Sequence, residues 1–304
     1  MRILIYGLGG VGGYIAGYLS QTNHEIVGVA RGEHLKMIQK EGLHPQGTLH
    51  VSEDEKEFTA NFTAVNESEL SGYFDLVLFC VKSYDLKNAA LVCKPFLDDK
   101  SIVLCLSNGV EHGDELRSLL DAKVLDGCIY ILSHIEKAGQ IRKMGKVFNL
   151  LFAGEGSDIL ASVLDEAGLR YKIAEDIQKE LWKKYIFIST FGVLTSYFDM
   201  SIKEVYENHY DEAKELLQEV AAIAKAKNIE LEDEIEKSLL TASKLPQSAS
   251  TSMHKDIKAK KKDELQTLCG YLVREAKRLH LQGTLHVSVP KIEKYYRELL
   301  KLHH

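Results

Sequence analysis

The sequence predicts an α/β protein in two parts, a doubly wound parallel sheet over residues 1–174 followed by an all-helical domain over residues 175–304. A length of 304 residues favours two domains over one. In the first part, short apolar runs alternate with helical segments, and a glycine-rich turn joins the first run to the first helix. After about residue 175 glycine becomes sparse and helical periodicity dominates.

The glycine-rich turn at the N-terminus is the most specific pattern in the chain. Gly7, Gly9 and Gly12 have the spacing G-x-G-x-x-G between an apolar strand and a helix, which is the context that a dinucleotide-binding Rossmann-type domain requires. In that motif the first glycine permits a tight turn, the second lets a pyrophosphate approach the backbone, and the third lets the helix pack close to the strand. The alternative is a glycine turn without a ligand. The predicted cofactor-binding loop is Gly7, Leu8, Gly9, Gly10, Val11 and Gly12.

The second strand, predicted at Glu25–Ala30, ends at a basic residue. Arg31 lies 19 residues after Gly12, close to the position where an acidic residue would bind the ribose 2′-hydroxyl of NAD. An arginine there instead suits the 2′-phosphate of NADP. The sequence therefore predicts an NADP site, with a solvated surface arginine as the alternative.

Two further strands place polar residues where parallel sheets bind ligands. Lys82 stands at the carboxyl end of a buried strand at 75–82, and Asn108 follows the strand at 101–106, in a loop expected to face the cofactor. The remaining elements of the first part are helices at 33–41, 84–96, 111–120 and 157–167, weak strands or a loop at 43–65, β-rich segments at 123–135 and 147–153, and a short strand near 170–173.

The second part reads as a series of helices. They are predicted at 176–191, 201–227, 231–243 and 256–280, with a last helix from Pro290. Pro246 and the Ser/Thr-rich stretch 248–252 interrupt the series.

Composition narrows the class of protein. A net charge of −6 argues against a general nucleic-acid binder and against an anionic membrane surface. Five cysteines without C-x-x-C spacing indicate reduced thiols, and no apolar run has the length of a signal peptide or a membrane span. These features together predict a cytoplasmic protein. Twelve histidines form no metal-ligand spacing, so we expect no metal site.

Lys184 is the candidate catalytic residue of the second part. It lies in the helical stripe Ile177, Leu181, Lys184, Ile188, Phe191, so a lysine interrupts an apolar face, whereas Lys183 belongs to a more polar face. A desolvated lysine has a lowered pKa and can donate a proton near neutral pH. The alternative is that Lys184 reaches solvent and pairs with Glu180.

Two side chains near residue 260 are candidates to act with Lys184 in the site. Ser252 lies near the predicted start of a helix, where a hydroxyl can hold a substrate carboxylate or simply act as an N-cap. Glu264 borders the apolar stripe of the same helical stretch.

The chain resembles the ketopantoate reductases (2-dehydropantoate 2-reductases) over nearly its full length. The resemblance rests on GLGGVGG at 7–13, on Glu180-Leu-Trp-Lys-Lys184, and on Thr251-Ser-Met-His-Lys-Asp256 followed by Asp263-Glu264. It implies a Rossmann domain and a helical domain with the active site between them, and Lys184 as the group that protonates the ketone, with Glu264 as its partner. It also implies Ser252 and Asn108 as substrate contacts and Lys82 as a cofactor contact.

The implied reaction is NADPH-dependent reduction of a 2-oxo acid, with 2-dehydropantoate as the leading substrate and a homodimer as the candidate assembly. Typical members carry amides at the positions of Ile188, Gly192 and Ala249, so the departures concern groups on the substrate side. A reductase of another 2-oxo acid or carbonyl compound, or a non-enzymatic NADP-binding sensor, are the alternatives. A nearly identical decapeptide, present at 43–52 and 279–288, has no explanation at this level.

Overall fold

A computed structural model describes residues 1–40, 46–54, 56–281 and 287–302 of the chain. The chain divides into two compact units. The first contains Met1–Ser107 and Glu111–Ile177, and the second contains Asn108–Val110 and Gln178–His304. Within the described residues no helix is both long enough and apolar enough to cross a membrane.

The first unit alternates strands and helices as the apolar runs predict. Its strands are β1 (Arg2–Tyr6), β2 (Glu25–Val29), β3 (Gln46–Glu53), β4 (Lys56–Val65), β5 (Leu76–Phe79), β6 (Ile102–Cys105), β7 (Lys123–Lys137), β8 (Gln140–Ala153) and β9 (Tyr171–Ile173). Its helices are α1 (Gly10–Leu19), α2 (Gly32–Lys40), α3 (Ser83–Cys93), α4 (His112–Leu119) and α5 (Ser157–Glu166).

The strands form one sheet in the order β3-β4-β2-β1-β5-β6-β7-β8-β9. From β4 to β7 all neighbours are parallel. Alternate residues of the central strands face two different cores: Ile3 and Ile5 pack with α1 and α5, whereas Leu4 and Tyr6 pack with α3 and α4. Burial on both faces explains why these strands are continuous apolar runs.

The sheet is not open, which differs from the doubly wound arrangement that the sequence predicts. The β7–β8 hairpin is long, and register shifts near Ser133 and Lys137 bend it. Its far end reaches β3, where Val51 lies opposite Ile141 in a parallel pairing. The strands from β3 to β8 therefore close into a ring, and α1 contacts β3, β4, β7 and β8 as well as β1 and β2.

Glycines on α1 permit this closure. A Cβ built on Gly13 would lie 2.7 Å from Ile141, and one on Gly17 would lie 2.7 Å from Val51, the residue opposite Ile141. A Cβ on Gly10 would lie 2.4 Å from the carbonyl oxygen of Ser133. These three glycines lie at i, i+3 and i+7 on the helix and so form one face, against which β7, β8 and β3 pack.

The second unit is helical. Its helices are α6 (Ile177–Phe198), α7 (Ile202–Asn208), α8 (Tyr210–Ala226), α9 (Glu232–Lys244), α10 (Ser252–Lys258), α11 (Tyr271–Leu281) and α12 (Pro290–Leu302), with a π-helical turn at Gln266–Gly270. Their apolar faces share one core that includes Trp182, Leu217, Leu268 and Leu299.

Two predicted helices are interrupted in the structure. The segment 201–227 breaks at His209, which caps α7 and precedes α8. The segment 256–280 contains the end of α10, an irregular stretch with Lys260 in the left-handed region (φ +52°), and then the π-helical turn and α11. The lysine-rich stretch offers no apolar face to bury, so no packing supports a helix there.

The decapeptide repeat falls partly outside the described residues. Of the first copy, residues 43–45 lie outside them and residues 46–52 belong to β3. Of the second copy, residues 279–281 end α11 and residues 282–286 lie outside them.

We expect Gly10→Ala to destabilise the first unit, because its Cβ would meet the backbone of Ser133 and His134, which cannot rotate away. Overpacking of this kind costs about 1–3 kcal/mol in free energy of unfolding. The matched control is Gly9→Ala, since no atom lies within 4 Å of a Cβ built there. Thermal unfolding followed by circular dichroism compares the two. Equal midpoints would contradict the close approach of β7 to α1.

Candidate active site

The glycine turn of the first unit has the geometry that its sequence motif requires. Gly7 has φ +108°, and a Cβ on it would lie 2.9 Å from the carbonyl oxygen of Cys80. A Cβ on Gly12 would lie 2.0 Å from the carbonyl oxygen of Gly7. The first position therefore needs left-handed backbone and the third needs the absence of a side chain, because α1 packs directly on the end of β1.

Gly9 differs from its neighbours because the space in front of it is open. It is the N-cap of α1, no side chain caps the helix there, and no atom lies within 4 Å of the position of a Cβ. The N–H groups of the first helical turn have no partner within the helix, and the positive end of the helix dipole lies at the same place. This cradle fits the pyrophosphate of a dinucleotide.

His34, a residue without a sequence signal, holds this loop in place. Its Nδ1 accepts a hydrogen bond from the N–H of Gly139 at 3.0 Å, so its Nε2 donates to the carbonyl of Leu8, 2.8 Å away. The imidazole therefore joins the glycine loop to the β7–β8 turn in its neutral form. Burial lowers the pKa of His34 below its ordinary value of 6.5, against the opposing effect of the Leu8 hydrogen bond.

Arg31 follows β2, and its side chain is 85% exposed. Its guanidinium forms an ion pair with Asp85 in the first turn of α3, with 3.0 Å between the nitrogen and the carboxylate oxygen. An exposed pair of this kind contributes about 0–1 kcal/mol, so an incoming phosphate can replace Asp85. The nearby carboxylate also offers an acceptor for a ribose hydroxyl.

The ends of β5 and β6 are joined by a hydrogen bond from the Ser107 hydroxyl to the carbonyl of Val81, at 2.6 Å. Lys82 comes next in the chain and is the half-buried N-cap of α3. Asn108 is also half-buried and groups with the second unit. Lys82 thus stands with the glycine turn and Arg31 at the carboxyl edge of the parallel strands.

Lys184 lies in the first half of α6 and is half-buried, as are Ile177 and Ile188 of its stripe. The most buried face of the helix instead carries Trp182 and Tyr185. Glu180 pairs with Lys183, with 2.8 Å between Nζ and Oε1.

Glu264 is 2% exposed and precedes the π-helical turn. Its backbone carbonyl accepts hydrogen bonds from the N–H groups of Thr267 and Leu268. The Tyr185 hydroxyl donates to the carbonyl of Thr267 at 2.6 Å. Tyr185, next to Lys184, and Thr267, three residues after Glu264, therefore connect the two segments that carry these predicted catalytic groups.

Ser252 is not an N-cap. Thr251 caps α10 by accepting from the N–H of His254, and its hydroxyl lies 2.9 Å from that of Thr195 on α6. Ser252 is the first residue of α10, and its side chain is exposed. The capping role is thus filled by its neighbour, and α6 also holds the segment that carries Ser252.

His254, for which the sequence indicates no role, also holds the start of α10 in place. His254 is buried; its Nδ1 lies 2.7 Å from the Ser250 hydroxyl and its Nε2 lies 2.8 Å from Asp199, which has a left-handed backbone. Lys258 also binds Asp199 at 2.8 Å. Hydrogen bonds from Lys258 and His254 lower the pKa of Asp199. Residues 55 positions apart meet here, which no local spacing predicts.

The positions that depart from the family pattern have apolar surroundings. A Cβ on Gly192 would lie 3.4 Å from Leu268 and 3.6 Å from Met253, so apolar side chains occupy the space beside this glycine. Ile188 is half-buried and packs on the edge of the helical core. The carbonyl of Ala249 accepts from the N–H of Ile202, which fixes the backbone of that turn.

Comparison with known proteins gives matches along both units. Residues 3–152 match ketopantoate reductase PanE/ApbA, and residues 176–296 match ketopantoate reductase PanE/ApbA C terminal. A relative from Bacillus subtilis (strain 168), named uncharacterized oxidoreductase YkpB, is 27% identical over 98% of each chain.

Solved structures show the same fold. The 2-dehydropantoate 2-reductase from Porphyromonas gingivalis W83 superposes with a TM-score of 0.82 at 29% identity, covering 99% of each chain. D-mandelate dehydrogenase, solved with NADH and anilino(oxo)acetate, has a TM-score of 0.86 at 21% identity, covering 100% of this chain and 98% of the other.

The stability of the first unit should fall as pH falls below about 6.5, in part through His34. Because the folded state lowers the pKa of His34, the unfolded chain binds the proton more readily, so the contribution is complete above the unfolded pKa and is lost as pH falls towards the folded pKa. Urea unfolding between pH 8 and pH 5 measures this slope. The free energy of unfolding should depend less steeply on pH in the His34→Gln variant than in the wild type. Equal dependence would contradict the burial of neutral His34 between Leu8 and Gly139.

Proposed function

Because the chain belongs to the ketopantoate reductase family and is an oxidoreductase that acts on CH–OH groups, we propose that it reduces a 2-oxo acid with NADPH. The family is pyridine-nucleotide dependent and serves pantothenate biosynthesis, so 2-dehydropantoate is the first candidate substrate. The product is the corresponding 2-hydroxy acid, pantoate in that case.

One observation carries the proposal: Lys184 and Glu264 lie on elements that the Tyr185–Thr267 hydrogen bond joins. A half-buried ammonium can donate a proton to a ketone oxygen as charge develops there, and a buried carboxylate can keep that lysine oriented. Lys183 neutralises Glu180, so this carboxylate is already engaged beside the proposed proton donor. A protein that only senses NADP needs neither Lys184 nor Glu264, which speaks against the sensor.

The residues proposed to bind the cofactor are those of the glycine loop, with Arg31 at the 2′-phosphate and Lys82 at the carboxyl end of β5. The reduced nicotinamide supplies the hydride when it is bound. Ser252 has an exposed hydroxyl for the substrate carboxylate, and Asn108 offers an amide to the cofactor or the substrate. His34 fixes the glycine loop through the Leu8 carbonyl.

A 2-oxo acid with an apolar tail is the second candidate substrate. Leu268 and Met253 pack beside Gly192, and Ile188 is one turn from Lys184, so amides are absent where typical members carry them. A substrate hydroxyl left unpaired there costs about 1–3 kcal/mol. D-mandelate dehydrogenase, which has the same fold, was solved with an aromatic 2-oxo acid derivative, so this fold can receive such a tail.

Specificity constants for 2-dehydropantoate and 2-oxoisovalerate, measured with NADPH, test the proposal and decide between the candidates. We expect either weak, unselective reduction of 2-dehydropantoate or a preference for 2-oxoisovalerate, because the site lacks amides that would select a hydroxylated tail. Ile188→Asn should move the ratio towards 2-dehydropantoate. A preference for 2-dehydropantoate of about a thousandfold in the wild type would refute the apolar-tail candidate, and no activity on any 2-oxo acid would refute the proposed reaction.

Lys184→Ala should lower kcat by about two to four orders of magnitude, the range for loss of a positioned general acid. NADPH binding, measured by titration calorimetry, should persist because this lysine acts on the substrate. Lys183→Ala is the matched control and should be mild, since it only breaks the pair with Glu180. Similar losses of kcat in both variants would show that Lys184 has no special role.

Arg31 and Asp85 should set the choice of cofactor in opposite directions. Arg31→Ala should lower the preference for NADPH over NADH by about tenfold, as loss of a charge-assisted phosphate contact implies. Asp85→Asn should raise that preference, because it releases Arg31 and removes a negative charge near the phosphate. Lys36→Ala, an exposed cation of α2, is the control. Equal losses of affinity for NADPH and NADH in Arg31→Ala would refute the assignment of Arg31 to the 2′-phosphate.

A further inference from the structure

The first unit contains a cavity of about 800 Å³ that none of the residues assigned above lines. It opens beside the C-terminal half of α1, and its walls come from that helix, the β3–β4 turn, β8 and the turn after α5. Tyr18 in its wall lies nine residues after Gly9, a rise of roughly 13 Å along the helix. The volume lies within the range of about 300–1,000 Å³ that is usual for small-molecule sites.

One wall of the cavity is aromatic. The rings of Tyr14 and Tyr18 have centroids 5.0 Å apart, and Phe148 of β8 lies 5.5 Å from Tyr14. Tyr14 and Phe148 are buried, so Tyr18, which is half-buried, is the ring of this wall that a planar group can contact. Both tyrosine hydroxyls donate to the carboxylate of Glu53, so hydrogen bonds fix the orientation of the two rings.

The inner charges of the cavity already neutralise one another. Lys143 is 6% exposed, donates to the carbonyl of Gly145 at 2.6 Å and lies 3.7 Å from Glu53. Burial by itself raises the pKa of Glu53, but hydrogen bonds from Tyr14 and Tyr18 and the charges of Lys143 and Lys56 outweigh it and lower that pKa. Glu53 is therefore ionised and engaged, and it leaves little negative charge for a ligand to oppose.

The rim, by contrast, carries three cations, Lys56, Lys146 and Arg170, against one carboxylate, Asp54. Lys146 and Arg170 are exposed, and neither has a carboxylate partner among the residues that the structure describes. Arg170 donates to the carbonyl of Lys146 at 2.9 Å, which holds the two basic residues side by side. Lys56 lies over the Tyr18 ring at 4.8 Å. On a chain with a net charge of −6, this is a local site for an anion.

We propose that this cavity binds a phosphorylated aromatic ligand of mononucleotide size. Its planar base packs against the half-buried ring of Tyr18, and its phosphate is held by Lys146 and Arg170. Arginine binds phosphate through a planar fork of donors, and lysine adds a point charge. This site is distinct from the glycine loop, because the two lie at opposite ends of α1.

Titration calorimetry of the full chain with AMP tests the proposal, with adenosine and inorganic phosphate as the partial ligands. We expect AMP to bind at least tenfold more tightly than either fragment, and the affinity should fall as salt is raised. The double variant Lys146→Ala/Arg170→Ala should weaken AMP binding at least tenfold. Arg142→Ala, an exposed arginine of β8 that pairs with Glu136 and does not line the cavity, is the matched control and should change it less than twofold.

Gly9→Ala separates the two sites. AMP bound in the cavity should keep its affinity in this variant, whereas AMP bound at the glycine loop should lose it. Tyr18→Leu should weaken AMP binding more than phosphate binding, because it removes the ring. Tyr18→Phe, which loses the hydrogen bond to Glu53 but keeps the ring, is the control and should change AMP binding less than twofold. Absence of AMP binding, loss of binding in Gly9→Ala, or equal affinity in the double variant and Arg142→Ala would each overturn the proposal. The two rim side chains are exposed, so their removal leaves the fold intact.

Discussion

The close approach of backbone to helix α1 is the constraint on which the first unit depends. On one side, Gly12 lets the helix lie against the end of β1, where a Cβ would meet the Gly7 carbonyl. On the other side, Gly13 and Gly17 receive Ile141 and Val51, which are opposite each other where β8 and β3 pair. The same helix thus forms the nucleotide turn and the contact that closes the ring of strands. Its N-terminus remains open only at Gly9, where a phosphate would need the space.

Sequence patterns predict the parts of this arrangement that depend on local burial. The runs around Ile5, Val77 and Val103 are apolar on both faces, and each is a central strand. The weakly alternating residues of β3 and β4 predict only strands or a loop, because the pairing of β3 with β8 depends on a hairpin about 90 residues away. Gly10, Gly13 and Gly17 indicate this closure in the sequence, since they repeat at helical spacing and are not the three glycines that define the dinucleotide motif. Glycines on a second face of a helix indicate a second close approach, just as those of the motif indicate the first.

Spacing alone could not choose among the charged partners of the candidate site. Glu180 lies three residues before Lys183 and four before Lys184, and both separations allow an ion pair on a helix. The structure shows the pair of Glu180 with Lys183. Likewise, Thr251 and Ser252 are both suitable N-caps, and the hydroxyl of Thr195 on α6 lies beside Thr251. For the Glu180 ion pair and the N-cap of α10, local spacing therefore leaves two neighbouring residues as candidates. The observed tertiary fold then shows which neighbour forms the contact. The contacts of the His34 side chain and the contact of His254 with Asp199 are tertiary, which is why no local pattern indicated them.

The charges around α1 follow the direction of its dipole. The helix begins with glycines and has no acidic residue in its first turn, so its positive end stays available for an anion. It has no basic residue in its last turn either. Cations near its other half come instead from β4 and β8, as Lys56 and Lys143, and they meet the helix through the rings of Tyr18 and Tyr14. A buried lysine is costly unless it is paired, and Lys143 satisfies this through Glu53 and a backbone carbonyl. Since Glu53 is used in this way, the exposed rim cations Lys146 and Arg170 are not needed to balance it, and their charge is available to a ligand.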